Sequence, residues 1–216
     1  VGLMLSLLRQ VPAAVRHVRA GGWDRDLFWG QELYRKSVGI VGYGRLGRLV
    51  ARYLVAFGAR RVLVCDQPGR AVADLDEGVK ACSLDELLSR SDIVTLHASL
   101  NDSTRGLLGA RELALMPTGS WLVNTARGAL VVEDALVAAL RDGPLAGAAL
   151  DVLADEHGDR SRQLLDYARA NANVLITPHI GGATIESRAK TEELMVAPLA
   201  EFLATERAGR PPASDG

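Results

Sequence analysis

Apolar residues along this chain fall into short unbroken runs separated by stretches with helical spacing. Val38 to Val41, Val62 to Val64, Ile93 to Leu96, Trp121 to Val123, Ala146 to Leu150 and Val174 to Ile176 have strand length, and Val79 to Ala81 is a shorter candidate. Between them, Leu46, Leu49, Val50, Tyr53, Leu54 and Phe57 recur at helical spacing. Ser83-Leu-Asp-Glu86 reads as a capping box that opens a helix to Arg90. Ala110 to Met116 predicts a helix stopped by Pro117, and Val132 to Arg141 one closed by Asp142-Gly143-Pro144. Unbroken apolar strands alternating with helices predict an α/β fold, a doubly wound parallel sheet covered on both faces. At the ends, Leu3, Leu7, Leu8, Val11, Val15 and Val18 predict a helix to Arg19, bent or interrupted at Pro12, and Thr184 to about Thr205 predicts a last amphipathic helix. Residues 1–206 are expected to form one domain with flanking helices, and the Pro/Ser/Gly-rich stretch 207–216 a disordered tail.

The first strand runs straight into Gly42-x-Gly44-x-x-Gly47, and the chain then continues as helix and second strand. In such a unit the chain turns sharply at the first glycine, the backbone approaches a pyrophosphate at the second, and helix packs on strand at the third. The N–H groups and positive dipole end of the helix then face the phosphates. An acid that binds the adenosine ribose is expected about 20 residues on, where Asp66 stands. The glycines, Tyr43, Arg45, Leu46 and Asp66 are therefore the expected cofactor-binding set, for a dinucleotide.

Composition changes this picture little. With 25 Lys and Arg against 26 Asp and Glu in 216 residues, the chain offers no global charge for nucleic acid or acidic lipid. Val1 to Leu8 is too short an apolar run to span a bilayer. Cys65 and Cys82 have neither metal nor redox spacing, which predicts free thiols, a cytoplasmic location and no metal site. The chain opens on Val, inside what reads as a helix already in progress.

Ligands of doubly wound sheets bind at the carboxyl ends of the strands. His97, Asn124-Thr125-Ala126-Arg127-Gly128, Asp151 to His157 and Thr177-Pro178-His179 all follow predicted strands. An arginine, carboxylates and histidines gathered beside a dinucleotide site can clamp an anion and move a proton at neutral pH.

Arg35-Lys-Ser-Val-Gly-Ile-Val-Gly-Tyr-Gly-Arg-Leu-Gly47, Ser91-Asp-Ile-Val-Thr-Leu-His97, Asn124-Thr-Ala-Arg-Gly-Ala-Leu-Val131, Gly147-Ala-Ala-Leu-Asp-Val152 and Thr177-Pro-His-Ile-Gly-Gly-Ala-Thr184 resemble the successive signatures of the D-isomer-specific 2-hydroxyacid dehydrogenases, nearest the phosphoglycerate dehydrogenase-like members. The resemblance covers about residues 1 to 206. It implies a Rossmann-type domain that binds NAD, a D-2-hydroxy acid or 2-keto acid as substrate, and an N-terminal substrate domain largely absent from this stretch of chain. It implies that Arg127 holds the substrate carboxylate and keto oxygen, that His179 is the acid/base, and that Glu156 pairs with His179 and raises its pKa. His97, Thr125, Ala126, Asp151, His179 and Gly181 would lie at the cofactor. The family commonly has Pro where His157 follows the glutamate, so His157 is a rival partner for Glu156, and it often has Pro where Ser99 stands.

A second reading is a non-catalytic NAD-sensing module, since some relatives in the superfamily act as corepressors. Asp66 predicts NAD over NADP, with Arg70 as a possible phosphate ligand. The N-terminal helix and the aromatic stretch from Trp23 to Trp29 together predict a homodimer contact surface.

Overall fold

Seven parallel strands form one sheet in the first of the two units into which the chain divides, Val1–Pro178 and His179–Gly216. The computed structural model describes residues 1–66, 72 and 74–208. The strands are β1 (Ser37–Val41), β2 (Arg61–Cys65), β3 (Val79–Ala81), β4 (Ile93–Leu96), β5 (Ser120–Asn124), β6 (Leu145–Leu150) and β7 (Val174–Ile176), in the order β3-β2-β1-β4-β5-β6-β7. The order reverses between β1 and β4. That switch point is where such sheets bind their ligands, with all carboxyl ends on one edge.

The helices are α1 (Gly2–Leu8), α2 (Val11–Arg19), α3 (Arg45–Ala56), α4 (Leu84–Arg90), α5 (Ala110–Ala114), α6 (Glu133–Arg141), α7 (Arg162–Ala170) and, in the second unit, α8 (Ile185–Ala208). Successive residues of each strand face opposite layers. Val38, Ile40, Val62 and Val64 pack with Met4, Leu7 and Leu8 of α1 and Val50, Ala51 and Leu54 of α3. Val41, Leu63, Cys65, Val94 and Leu96 pack with Leu87 and Leu88 of α4, Leu113 of α5, Leu136, Val137 and Leu140 of α6, and Leu164 of α7. Both faces are dry, which is why the strands read as unbroken apolar runs. Truncating a fully buried side chain such as Leu54 to alanine costs about 2–5 kcal/mol.

Three elements differ from the sequence expectation. The first helix breaks at Gln10, whose φ of 53° is left-handed, rather than at Pro12. Pro12 sits in the first turn of α2, where a missing N–H costs nothing. Helix α7 has no counterpart among the predicted elements. Helix α8 runs on to Ala208 with Pro198 inside it, and its apolar residues crowd toward its second half instead of forming a stripe. Residues 209–216, most of the expected tail, lie outside the described residues. No described helix is long and apolar enough to cross a membrane.

Candidate functional site

The turn after β1 shows how each glycine of the motif is used. Gly42 has φ +97°, and a Cβ there would lie 2.4 Å from the Ala98 backbone nitrogen, so only glycine lets β1 turn this close to the end of β4. A Cβ at Gly47 would meet the Gly42 carbonyl oxygen at 2.1 Å, which closes α3 onto the turn. Gly44 is different. It has an ordinary φ of −83° and is the N-cap of α3, with no side-chain cap, and nothing lies within 4 Å of the Cβ it lacks. Packing does not call for glycine there, although glycine is favoured over alanine at an N-cap. The open space leaves room for a ligand to approach, and an uncapped helix start with no acid in its first turn suits a phosphate. Arg45 and Leu46 are exposed beside it.

Asp66 follows β2 on the same edge and is half-buried. Tyr43, by contrast, turns its side chain inward, 3% exposed, so that its backbone and not its ring borders the glycine turn. Arg70 lies outside the described residues. The His97 backbone N–H donates to the Val41 carbonyl at 2.7 Å, which ties the end of β4 to the end of β1. Its Nε2 lies 3.1 Å from Thr95 Oγ1, and its Nδ1 is buried with no hydrogen-bond partner among the described residues. Burial pushes this imidazole down to about 4, so His97 is neutral at pH 7.

After β5, Asn124 is 1% exposed and organises the next turn. Its side-chain oxygen accepts from the Ala126 N–H at 3.0 Å, and its amide donates to the Arg127 carbonyl at 2.9 Å. Thr125 and Ala126 are half-buried in this turn, and the Arg127 side chain is exposed. Gly128 follows because a Cβ there would lie 1.9 Å from the Leu153 carbonyl carbon. The Asn124 carbonyl also accepts from the Asp151 N–H at 2.9 Å, which joins this turn to the end of β6. Asp151 is buried, and its carboxylate accepts from the Thr177 hydroxyl beyond β7.

The loop bearing Glu156 and His157 is exposed. Glu133 anchors its start by accepting from the Ala154 N–H at 2.8 Å, and Ser161 accepts from the Asp155 N–H at 3.1 Å. In the second unit, His179 is exposed with a left-handed φ of 54°, and a turn through Ile180 and Gly181 leads to Thr184. The Thr184 hydroxyl accepts from the Ser187 N–H at 2.9 Å at the start of α8.

The first unit thus brings the glycine turn, Asp66, His97, Arg127 and Asp151 to one sheet edge. Among the described residues no cluster of His, Cys, Asp and Glu is placed to hold a metal ion. Asn124 and Gly128, which the sequence places at this edge without a role, and Glu133 shape it through their contacts. For Asn124 and Gly128 the signal was present, as the residues that flank Arg127 in its motif. Glu133 acts across 21 residues and has no local signature.

Residues 1–181 match the family model of the D-isomer specific 2-hydroxyacid dehydrogenase, NAD binding domain. The chain is 40% identical over 192 residues to D-3-phosphoglycerate dehydrogenase of Rattus norvegicus, covering 89% of this chain and 35% of that protein. It is 38% identical over 189 residues to the Methanocaldococcus jannaschii protein of the same name, covering 87% and 35%. It therefore spans about a third of the length of the curated relatives it matches. Its fold is similar to that of D-lactate dehydrogenase from Aquifex aeolicus complexed with NAD and lactic acid, with a TM-score of 0.85 and 32% identity over 96% of this chain and 65% of that one. A glyoxylate reductase from Paecilomyes thermophila gives 0.82 and 38% over 92% and 58%.

Proposed function

Since the chain belongs to the D-isomer specific 2-hydroxyacid dehydrogenase family, through its NAD-binding domain, we propose that the protein moves a hydride between nicotinamide and a D-2-hydroxy acid or its 2-keto acid. The observation that carries this reading is the uncapped start of α3 on the switch-point edge, where Gly44 leaves open space for a cofactor phosphate. Asp66 suits the ribose hydroxyls and disfavours a 2′-phosphate, so NAD is preferred over NADP.

NAD, when bound, supplies or takes the hydride. The chain's own residues then have to hold an acid and move one proton. Arg127, exposed after β5, offers a guanidinium fork of the kind that matches a carboxylate, and the resemblance assigns it the keto oxygen as well. His179 gives a proton to that oxygen in reduction and takes it back in oxidation. Glu156, in the exposed loop after β6, is the third member of the set that the resemblance assigns to the chemistry. These roles are supported by the motifs that contain Arg127 and His179 and, for Glu156, by its place in the loop after β6, while His97, neutral at pH 7, has no proton to give in reduction.

The test is reduction of a panel of 2-keto acids with NADH by the protein at its native length. Turnover of at least one acid is expected, abolished by Arg127→Ala or His179→Asn. NADH binding without turnover of any acid would favour a sensing module instead. For the 216 residues alone we expect NADH binding without sustained turnover. Positioning of substrate against cofactor can be worth roughly 7–11 kcal/mol, and the resemblance assigns part of it to a further domain. Tighter NADP than NAD binding would contradict the role of Asp66, and Asp66→Ala should narrow the preference.

The same proposal includes a homodimer formed through α2 and the Trp23 to Trp29 stretch. Helix α2 buries no residue in the first unit and leaves Val11, Val15 and Val18 exposed, while Trp23 is 90% and Trp29 78% exposed. A monomer by light scattering at micromolar concentration overturns it. A cytoplasmic location is supported by the free thiols of Cys65 and Cys82.

A further inference from the structure

Tyr43 stands between the two glycines of the turn, yet its ring is buried in the core layer formed by α1 and α3. A leucine or phenylalanine would fill that space as well. The hydroxyl is what distinguishes tyrosine, and it donates to Asp76 Oδ2 at 2.8 Å and accepts from the Asp76 N–H at 3.3 Å. The other carboxylate oxygen accepts from Arg52 Nε at 3.1 Å and from its terminal nitrogen at 3.0 Å. One turn earlier on α3, Arg48 lies over the Tyr43 ring, 4.6 Å from its centroid, and donates to the Asp74 carbonyl. The Asp76 carbonyl in turn accepts from the Val79 N–H at 3.2 Å, at the first residue of β3. One phenol therefore joins the backbone of the glycine turn, the flank of α3 and the far end of the connection that Asp66 begins.

We propose that Tyr43, Asp76 and Arg52 form a clasp that positions the phosphate-facing turn against the β2 to β3 connection, and that this clasp sets the affinity for the adenosine diphosphate half of NAD. Tyr43 is a positioning residue in this scheme, since its side chain is turned away from the ligand edge. The Gly42 N–H fixes the start of the turn by donating to the Cys65 carbonyl at 2.8 Å, and the Tyr43 hydroxyl ties its next residue to Asp76. A hydrogen bond to a charged acceptor is the strong kind, and the Arg52 pair keeps that acceptor charged. The lowered carboxyl pKa of Asp76, caused first by the Tyr43 hydroxyl and then by Arg52, fits the same geometry. The inference rests on NAD binding at the glycine turn.

Tyr43→Phe keeps the ring and removes only the hydroxyl. On the full 216-residue chain, calorimetry with NADH, with ADP-ribose and with nicotinamide mononucleotide separates the two halves of the cofactor. We expect folded Tyr43→Phe to bind NADH and ADP-ribose about fivefold to tenfold more weakly, with binding of the mononucleotide unchanged. Asp76→Asn, which retains an acceptor for the phenol but loses the charge, should fall between wild type and Tyr43→Phe. In the protein at native length the same changes should raise KM for NADH and leave kcat alone. A purely structural hydroxyl would lower the melting temperature and leave all three affinities as they are, and that result overturns the clasp. Equal loss for ADP-ribose and mononucleotide overturns it too. If wild type itself fails to bind NADH, it is the cofactor reading that falls.

Discussion

The side-chain amide of Asn124 donates to the backbone carbonyl of Arg127 at 2.9 Å. A buried residue at the last position of β5 thus sets the turn from which the proposed anion clamp projects, and the same residue's carbonyl holds the Asp151 N–H. Asn124→Ala leaves at least two backbone groups to find new partners. It should cost about 1–3 kcal/mol in stability, read by thermal or denaturant unfolding. At native length it should also lower kcat/KM for the keto acid by up to about a hundredfold through misplacement of Arg127, with NADH affinity changed far less. Equal losses for cofactor and acid would place its effect elsewhere.

Two glycines of one motif should separate under mutation. Gly44→Ala meets open space and an ordinary φ, so unfolding should shift by no more than the roughly 1 kcal/mol that alanine costs at an N-cap, while NADH affinity drops about tenfold or more. Gly47→Ala drives a methyl to 2.1 Å from the Gly42 carbonyl oxygen and should destabilise the fold by about 1–3 kcal/mol. A Gly44→Ala chain with wild-type NADH affinity would remove the main support for the cofactor site.

His97 gives the fold an acid-side weakness. The unfolded imidazole takes up its proton near 6.5, and burial keeps the folded one neutral down to about 4. Between those values the unfolded state binds more protons, so stability falls as pH drops through that window, by on the order of 3 kcal/mol at its lower end. His97→Gln should flatten the stability profile between pH 6.5 and pH 4, measured by chemical denaturation at each pH. A parallel profile would assign the slope to other groups.

Much of this arrangement can be read from residue order alone, because it depends on local rules. The glycine spacing, the unbroken strands and the residues just past them place the site edge without knowledge of any long-range contact. What stayed hidden has a physical reason in each case. Helix α7, from Arg162 to Ala170, is short and rich in charged residues, buries only Leu164 and begins at Ser161 without a side-chain cap, so its start does not stand out. The break at Gln10 depends on a left-handed backbone that glutamine does not announce. Tyr43 and Asp76 are 33 residues apart, and the pairing of β1 with β2 and of β2 with β3 brings them together. The Asn124 motif was visible, but the direction of its hydrogen bonds was not.

The contact at Gly128 has a consequence for how this edge can change over time. With a prospective methyl only 1.9 Å from the Leu153 carbonyl carbon, main chain lies directly on main chain between the turn of Arg127 and the start of the loop that carries Glu156. No side chain separates them to absorb a shift, so a displacement of one segment must be followed by the other. Insertions that reshape the Glu156 loop should therefore be confined to the part beyond Ala154, where the anchor from Glu133 ends. Grafting that loop from a relative would succeed only together with the Asn124 to Gly128 turn, as a single exchangeable piece.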